Sequence, residues 1–463
     1  MRQVTYIFSQ SIACADEYLV FPPLFLIDNL SGCLFFCAML EELMLKGATL
    51  YPGEAPLDVR IRAGRIAEIG PDLSPGAGAR VVPLPEGCLT VPAFADLHVH
   101  LREPGRPDKE TIRTGTLAAA RGGYTLVCAM PNLDPVPDTP EHLAREEAIL
   151  RRDAVVTVLP YGAITLGREG RELVDQHALK GRCCAFSDDG SGIQSEALMR
   201  RAMETAAREG VILAAHCEDT SLLNGGYIHD GRYARAHGHK GICSESEWGP
   251  IRRDLLLCEE TLCRYHVCHV STKESVALIR EAKRRGVPVT CETAPHYLIL
   301  CEDDLQEDGR FKMNPPLRTA ADRDALVEGL RDGTIDAVAT DHAPHTAAEK
   351  ALGLADSAMG IVGLETAFPV LYTKLVRTGL VPLDRLLDAL SGAPRRIFGL
   401  PGGSVGCGAR ADLAVLDLDA PYRIDSRTFL SKGKATPFDG WEVRGEVRLT
   451  LHQGKVIYNK DIL

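Results

Sequence analysis

Several common signatures are missing from this chain of 463 residues, and each absence narrows what it can be. Its 15 cysteines, an odd number, include no CxxC pair and sit mostly inside apolar runs (Cys128, Cys183, Cys184, Cys268, Cys291). Free cysteine packs as a small hydrophobe, so no disulfide framework is expected and the compartment reads as reducing and cytoplasmic. There is no basic excess: 52 Lys and Arg stand against 63 Asp and Glu, for a net charge of −11. That argues against a nucleic-acid-binding surface, although a buried site can still be cationic. No uninterrupted apolar run reaches the ~18 residues that mark a membrane span. The early stretch YLVFPPLFLIDNLSGCLFFCAML is broken by Pro22, Pro23, Asp28 and Asn29. A secretory leader wants a basic start, and Arg2 is the only early cation. No GxGxxG or GxxxxGKS/T follows any candidate strand, which weakens a nucleotide-binding fold.

What is present is an ordinary globular balance, 45% apolar and 25% charged, on a chain longer than one average domain. Residues 1–38 read as an extension, loosely attached or preceding a true start at Met39. From Leu43 to about Leu84 apolar and polar residues alternate, and LDVRIRAGRIAEIG predicts a hairpin turning at Ala63-Gly64. RADLAVLDLD and VRLTLHQGKVIY, with a Gln453-Gly454 turn, repeat that style near the C-terminus. The two ends, residues 39–90 and 401–463, are therefore expected to meet in one small β-sandwich domain. Between them, residues 91–400 read as strand then helix eight times. The strands end near His100, Met130, Pro160, Asp189, His216, His269, Thr293 and Asp341. Segments such as KETIRTGTLAAARG and STKESVALIREAKRRG are amphipathic helices. This alternation predicts a parallel sheet closed as a (β/α)8 barrel, with an open doubly wound sheet as the alternative.

Barrel active sites lie at the C-terminal strand ends. The first strand ends in DLHVHLREPG, where His98 and His100 share one strand face. Asp188 and Asp189 end the fourth strand, His216 the fifth, His269 the sixth and Asp341 the eighth. A lone histidine beside an apolar run is more often structural. Four histidines and two aspartates at five strand ends make a metal-type donor set of nitrogen and oxygen. They are too many for one tetrahedral ion with an open position, and suit two. His98, His100 and a strand-four carboxylate could hold one ion. His216, His269 and the same carboxylate could hold the other, with Asp341 beside the first.

The chain resembles the amidohydrolase superfamily and, within it, the dihydroorotases of bacterial class I type. The resemblance runs from about Met39 to the C-terminus. It rests on DLHVHLREPG, AMPNLDPVPDTP, AFSDDG, AHCED, HVCHVSTKES, FKMNPPLR, TDHAPHT and GIVGLETAFPVLYT in that order. It implies reversible cyclisation of N-carbamoyl-L-aspartate to L-dihydroorotate, in de novo pyrimidine biosynthesis. It also implies two zinc ions on His98, His100, Asp189, His216, His269 and Asp341. Many relatives bridge the metals with a carboxylated lysine; here Lys180 precedes the fourth strand, and Asp189 resembles the bridging group, with Asp188 the alternative. A metal-bound hydroxide would attack the ring amide, and Asp341 would carry its proton to the leaving nitrogen.

By the same resemblance, Arg102, Asn132, Asn314, His345, Met359 and Gly360 bind substrate. Arg102 would grip the ring carboxylate bidentately; its plain alternative is a surface pair with Glu103. For Asn132 and Asn314 the alternative is turn chemistry beside proline. Asp96 and His296 would support the ligands from behind, with Asp96 reaching one from the same strand face. Ala358-Met359 stands where relatives commonly carry Pro-Phe. The connection from Cys217 to Cys243 is long for a barrel loop and reads as a lid, an interaction surface or a mobile segment. A homodimer is expected, and a complex with aspartate transcarbamoylase is possible by analogy. The rival readings are another cyclic amidohydrolase (a hydantoinase or allantoinase), a non-catalytic partner of that transcarbamoylase, and a one-metal deacetylase.

Overall fold

The two predicted turns set up both ends of the fold. Ala63, Gly64, Gln453 and Gly454 all take positive φ, between 48° and 76°, as tight two-residue hairpins require. Pro56–Arg62 pairs antiparallel with Arg65–Gly70, and Glu446–His452 with Lys455–Asn459. The computed structural model describes residues 42–53 and 55–461, so the extension expected at residues 1–38 lies outside them. Strand Leu413–Asp417 joins the two ends. One of its edges pairs with Leu89–Pro92 and the other with Glu446–His452, completing one eight-stranded sheet. One face of that sheet buries Leu43, Leu45, Val59, Ile61, Leu413, Val415, Leu449 and Leu451 as a core of its own.

The middle of the chain forms the barrel of parallel strands and helices. Phe94–Val99, Tyr124–Ala129 and Thr157–Pro160 make one parallel sheet. Ile212–Ala215, Arg264–Val267, Val289–Thr293 and Ala337–Val338 make another. The first two strands are buried along their whole length, as strands covered on both faces must be. Isolated parallel bridges join the two sheets. Phe186 bridges Gly162 on one side and Leu213 on the other, and His342 bridges Val99. Helices cover the outside, several started by a threonine or serine side chain. Thr111 caps Ile112–Arg121, Ser195 caps Glu196–Glu209, and Thr272 caps Lys273–Arg284.

Two predicted strands are shorter than the sequence suggests. The fourth narrows to the bridge at Phe186, because the Asp188 carboxylate replaces a backbone partner. Its Oδ1 accepts the N–H groups of Ile164 at 2.8 Å and Thr165 at 3.0 Å. The eighth pairs regularly only over Ala337–Val338. The Thr340 N–H beyond it is taken by the Asp96 carboxylate. The connection from Cys217 to Cys243 contains the short helix Arg232–His237 and a two-stranded ladder, Ile228–His229 with Gly241–Ile242. It is pinned by Arg318, which donates to the Ile242 carbonyl at 3.0 Å, and by His239, 2.8 Å from Glu307. Among the described residues no helix is long and apolar enough to cross a membrane.

Candidate metal centre and cavity

Five of the barrel strands deliver polar residues where the ladder ends and side chains can turn inward. His98, His100, Asp189, His216, His269 and Asp341 are all buried, and they meet. Asp189 is the hub. Its Oδ1 lies 3.4 Å from His98 Nε2, 3.7 Å from His216 Nδ1 and 3.6 Å from His269 Nε2. Its Oδ2 lies 3.6 Å from His100 Nε2. Asp341 Oδ1 stands 3.5 Å from His98 Nε2 and 3.2 Å from His100 Nε2. His216 Nδ1 and His269 Nε2 are 3.0 Å apart. Asp188 takes no part, since its carboxylate is spent on Ile164, Thr165 and the Thr165 hydroxyl.

The cluster is costly unless something cationic fills it. His98 Nε2, His100 Nδ1, Asp189 Oδ1 and His216 Nε2 are buried without a hydrogen-bond partner. His98 Nδ1 is 3.1 Å from Glu292 Oε1, and although burial opposes it, the charge of Asp189 raises the ring well above its ordinary pKa; a bound metal ion would displace the Nε2 proton and leave Nδ1–H on Glu292. Groups of three donors, His98 with His100 and Asp341 and His98 with Asp189 and His269, are close enough to hold a metal ion. Buried carboxylates ordinarily resist ionisation. Here burial is outweighed for Asp189 by the charge of His98 and by the close approach of the His269 and His98 rings, which hold it well below the usual carboxylate range. For Asp341, burial is outweighed by the hydrogen bond from His100 and by the charge of His98, and its carboxyl is likewise held low. Burial pulls His100 down to about 4, which keeps it neutral as a ligand must be. Three residues here carry positive φ without being glycine: Arg102 (60°), His269 (35°) and Asp341 (47°). Such backbone is uncommon and persists where the surroundings over-determine it.

The cluster forms the floor of a cavity of about 200 Å³. Its walls include Arg102, Asn132, Asn314, Ala343, Met359 and Gly360. Larger clefts of about 470 and 510 Å³ lie elsewhere, but neither gathers a comparable donor set. Arg102 makes no pair with Glu103, whose carboxylate accepts the Ile112 N–H at 2.9 Å. Its Nε donates to the Pro344 carbonyl at 3.2 Å; its second terminal nitrogen lies 3.4 Å from His345 Nε2, whose own hydrogen goes to the Met359 carbonyl, so both terminal nitrogens keep free N–H donors. Asn132 Nδ2 donates to the Asp189 carbonyl at 2.9 Å, and its Oδ1 is buried without a partner. Asn314 Nδ2 donates to Glu218 Oε1 at 2.8 Å.

Some expected contacts are different in kind. His345 has both ring nitrogens engaged, Nε2 with the Met359 carbonyl at 2.7 Å and Nδ1 with Lys109 Nζ at 3.0 Å. It backs Arg102 rather than lining the cavity. The Gly360 N–H donates to the Lys312 carbonyl and its own carbonyl accepts from Lys350, so neither backbone group is left for a ligand. Asp96 reaches no ligand ring. It accepts the N–H groups of His98 and Thr340, tying the first barrel strand to the eighth. His296 is buried with its Nε2 unpartnered.

The ring partner of His98 is Glu292, which the sequence reading passed over. Glu292 also approaches His266 Nε2 at 3.2 Å. Burial would raise its carboxyl, but hydrogen bonds from His266 and His98 bring it to about 2. The available signal was a glutamate inside the buried strand Val289–Thr293, where an unpaired carboxylate is not tolerated. Glu218, two residues beyond His216 on the same run, lies 3.7 Å from His216 Nε2 and carries the same message.

Comparison with known proteins fits this geometry. A Dihydro-orotase-like family model matches residues 87–275, and an Amidohydrolase family model matches residues 264–458. The chain is 52% identical over 404 residues to a dihydroorotase from Bacillus caldolyticus, covering 87% of this chain and 94% of that protein. It is 54% identical over 376 residues to one from Geobacillus kaustophilus, covering 81% and 88%. Among solved structures, an L-hydantoinase from Arthrobacter aurescens superposes with a TM-score of 0.81 at 27% identity, over 91% of this chain and 97% of its own.

Proposed function

Because this chain belongs to the dihydroorotase family of amidohydrolases, we propose that it catalyses the reversible cyclisation of N-carbamoyl-L-aspartate to L-dihydroorotate. The observation that carries the reading is a six-side-chain nitrogen and oxygen cluster facing a partly free arginine across one small cavity. His98, His100, Asp189 and Asp341 would hold one divalent ion, and His216, His269 and Asp189 a second. Zinc suits that donor set. Bound there, the pair supplies a water of lowered pKa and a Lewis acid for the scissile carbonyl.

The protein's own groups do the rest. Arg102 offers a planar fork to the one carboxylate that the ring retains. Asn314, its Nδ2 held by Glu218, presents Oδ1 to a ring N–H. Asn132 adds its unpartnered Oδ1 at the opposite wall. In ring opening, Asp341 takes a proton from the attacking water and returns it to the departing ring nitrogen; closure reverses both moves. Glu292 holds His98 with its Nε2 lone pair forward. At about 200 Å³ the cavity suits a single six-membered ring, below the ~300 Å³ common for drug-sized ligands. The reading extends to a cytoplasmic homodimer with aspartate transcarbamoylase as a candidate partner, to be tested by sedimentation alone and in mixture.

The deciding experiment is ring closure of carbamoyl aspartate before chelation, after it, and after zinc add-back, with hydantoin assayed in parallel. Closure lost on chelation and restored by zinc is the expected result. Hydantoin turnover equal to that of dihydroorotate would favour the hydantoinase reading, which the solved structure keeps in view.

A further inference from the structure

Behind one wall of the cavity lies a buried lysine with no acidic partner. Lys350 ends the four-residue helix Ala347–Lys350 and is 8% exposed. Its Nζ donates to the carbonyls of Ala358 and Gly360, each at 2.7 Å, and of Lys312 at 3.1 Å. An ammonium has three donors, and all three here end on backbone carbonyls. Those carbonyls belong to two segments that both reach the cavity. Lys312 stands two residues before Asn314, and Ala358 and Gly360 bracket Met359.

The segments meet tightly. The Gly360 N–H donates to the Lys312 carbonyl at 3.0 Å. A Cβ on Gly360 would come 2.7 Å from the Ala343 carbonyl oxygen, at a φ of 131° that side chains rarely adopt. The Gly360–Lys312 bond is the direct link across the junction, and the Lys350 ammonium adds a second by joining the Gly360 and Ala358 carbonyls to the Lys312 carbonyl. Without the ammonium, the Ala358 and Gly360 carbonyls would be desolvated and unpaired, and the junction would hang on the single Gly360–Lys312 bond or admit water.

We propose that Lys350 is a positioning residue for substrate: its ammonium clamps the Asn314 segment to the Met359–Gly360 segment and so sets the width of the ring-binding wall. The inference rests on the cyclic-amide reading of this cavity. Lys350 touches neither substrate nor metal ligands, so its effect falls on binding more than on the chemical step. The charged groups facing it are Lys312, Asp308, Glu349 and His345. Burial and the nearby Lys312 bring Lys350 down to about 7, so it sheds its charge as the medium turns alkaline. The neutral amine keeps two N–H donors and turns a lone pair toward the third carbonyl. The clamp therefore loosens with rising pH.

The test is steady-state kinetics of the zinc-loaded enzyme on dihydroorotate, comparing wild type with Lys350→Met and Lys350→Gln, alongside metal content. Lys350→Met removes three charge-assisted hydrogen bonds and should raise KM about tenfold or more while kcat stays within about threefold and metal content holds. Lys350→Gln keeps two donors without the charge. Its KM should lie between the other two and stay flat from neutral to alkaline pH, where the wild-type KM climbs. An unchanged KM in both variants, or a fall in kcat with loss of metal at constant KM, would overturn the proposal. If Lys350→Met does not fold, the Lys350→Gln pH profile decides alone. A metal-loaded wild type that turns over no cyclic amide would sink the functional reading instead. The clamp is then read from hydrogen exchange at the Gly360 amide, and equal protection in wild type and Lys350→Gln would end it.

Discussion

The two sides of the cavity are built by different rules. The metal side stands on the barrel itself. His98 lies in the first barrel strand, and Asp189, His216, His269 and Asp341 follow within three residues of a strand end or bridge. The ring side stands on connections between strands. Arg102 hangs on the Pro344 carbonyl, Asn314 on Glu218, and Gly360 on Lys312 and Lys350. A scaffold that fixes charge-bearing donors rigidly, with loops that shape the partner wall, is how one barrel can serve related cyclic amides. The likeness to an L-hydantoinase at 27% identity belongs to the scaffold; the arginine wall is where the two would diverge.

If that division is real, damage to the two sides should look different. Asp341→Asn strikes the metal side hardest. Turnover in both directions should fall about 10³-fold or more while KM changes little, a loss in the range seen when a general acid–base is removed. Near-normal kcat in the folded, metal-loaded variant would remove Asp341 as the proton carrier. Arg102→Met should do the reverse, lowering kcat/KM for dihydroorotate about 100-fold through KM with metal content intact. A loss confined to kcat would place Arg102 on the other side of the comparison. Glu292→Gln should weaken metal binding about 10- to 100-fold by freeing His98 to turn or change tautomer, as measured by competition with a chelating dye.

The smallest effects separate structure from chemistry. Asp188→Asn should cost about 1–3 kcal/mol of stability, because it weakens buried hydrogen bonds to Ile164 and Thr165, yet retain metal, whereas Asp189→Asn should lose it. Equal metal loss in both would undo the assignment of the hub. One observable belongs to neither side. Closure consumes a carboxylate and takes up a proton, so the ratio of closed to open product should fall about tenfold per pH unit rise. That slope is a property of the reactants. It should be the same for wild type and for any active variant, and a variant that shifts it would mean that a different reaction is being followed.

Particular residues show how far the sequence could be read. The strand alternation that put His98 and His100 on one face is local, with a period of two, and the chain spells it out. The hairpins at Ala63-Gly64 and Gln453-Gly454 are equally local. Asp188 and Asp189 are adjacent and chemically identical. Which of them faces the histidines depends on where Ile164 and Thr165 lie, some two dozen residues upstream, and no neighbouring letter reports that. Asp96 supports His98 through its backbone N–H, not its ring, for a similar reason. Same-face spacing brought it near His98, but the unpaired N–H of Thr340 claimed its carboxylate first.

The sequence alone determined the barrel, the joined sheet at the chain ends, and five of the six residues that gather at the barrel mouth, because periodicity and motif order are short-range signals. Tertiary structure decided which aspartate became the hub, that Glu292 rather than Asp96 holds the His98 ring, and that Lys350 sits among three carbonyls. Those choices come from hydrogen-bond donors and acceptors that must be satisfied once buried. Their partners lie from eight to nearly two hundred and fifty positions apart in the chain.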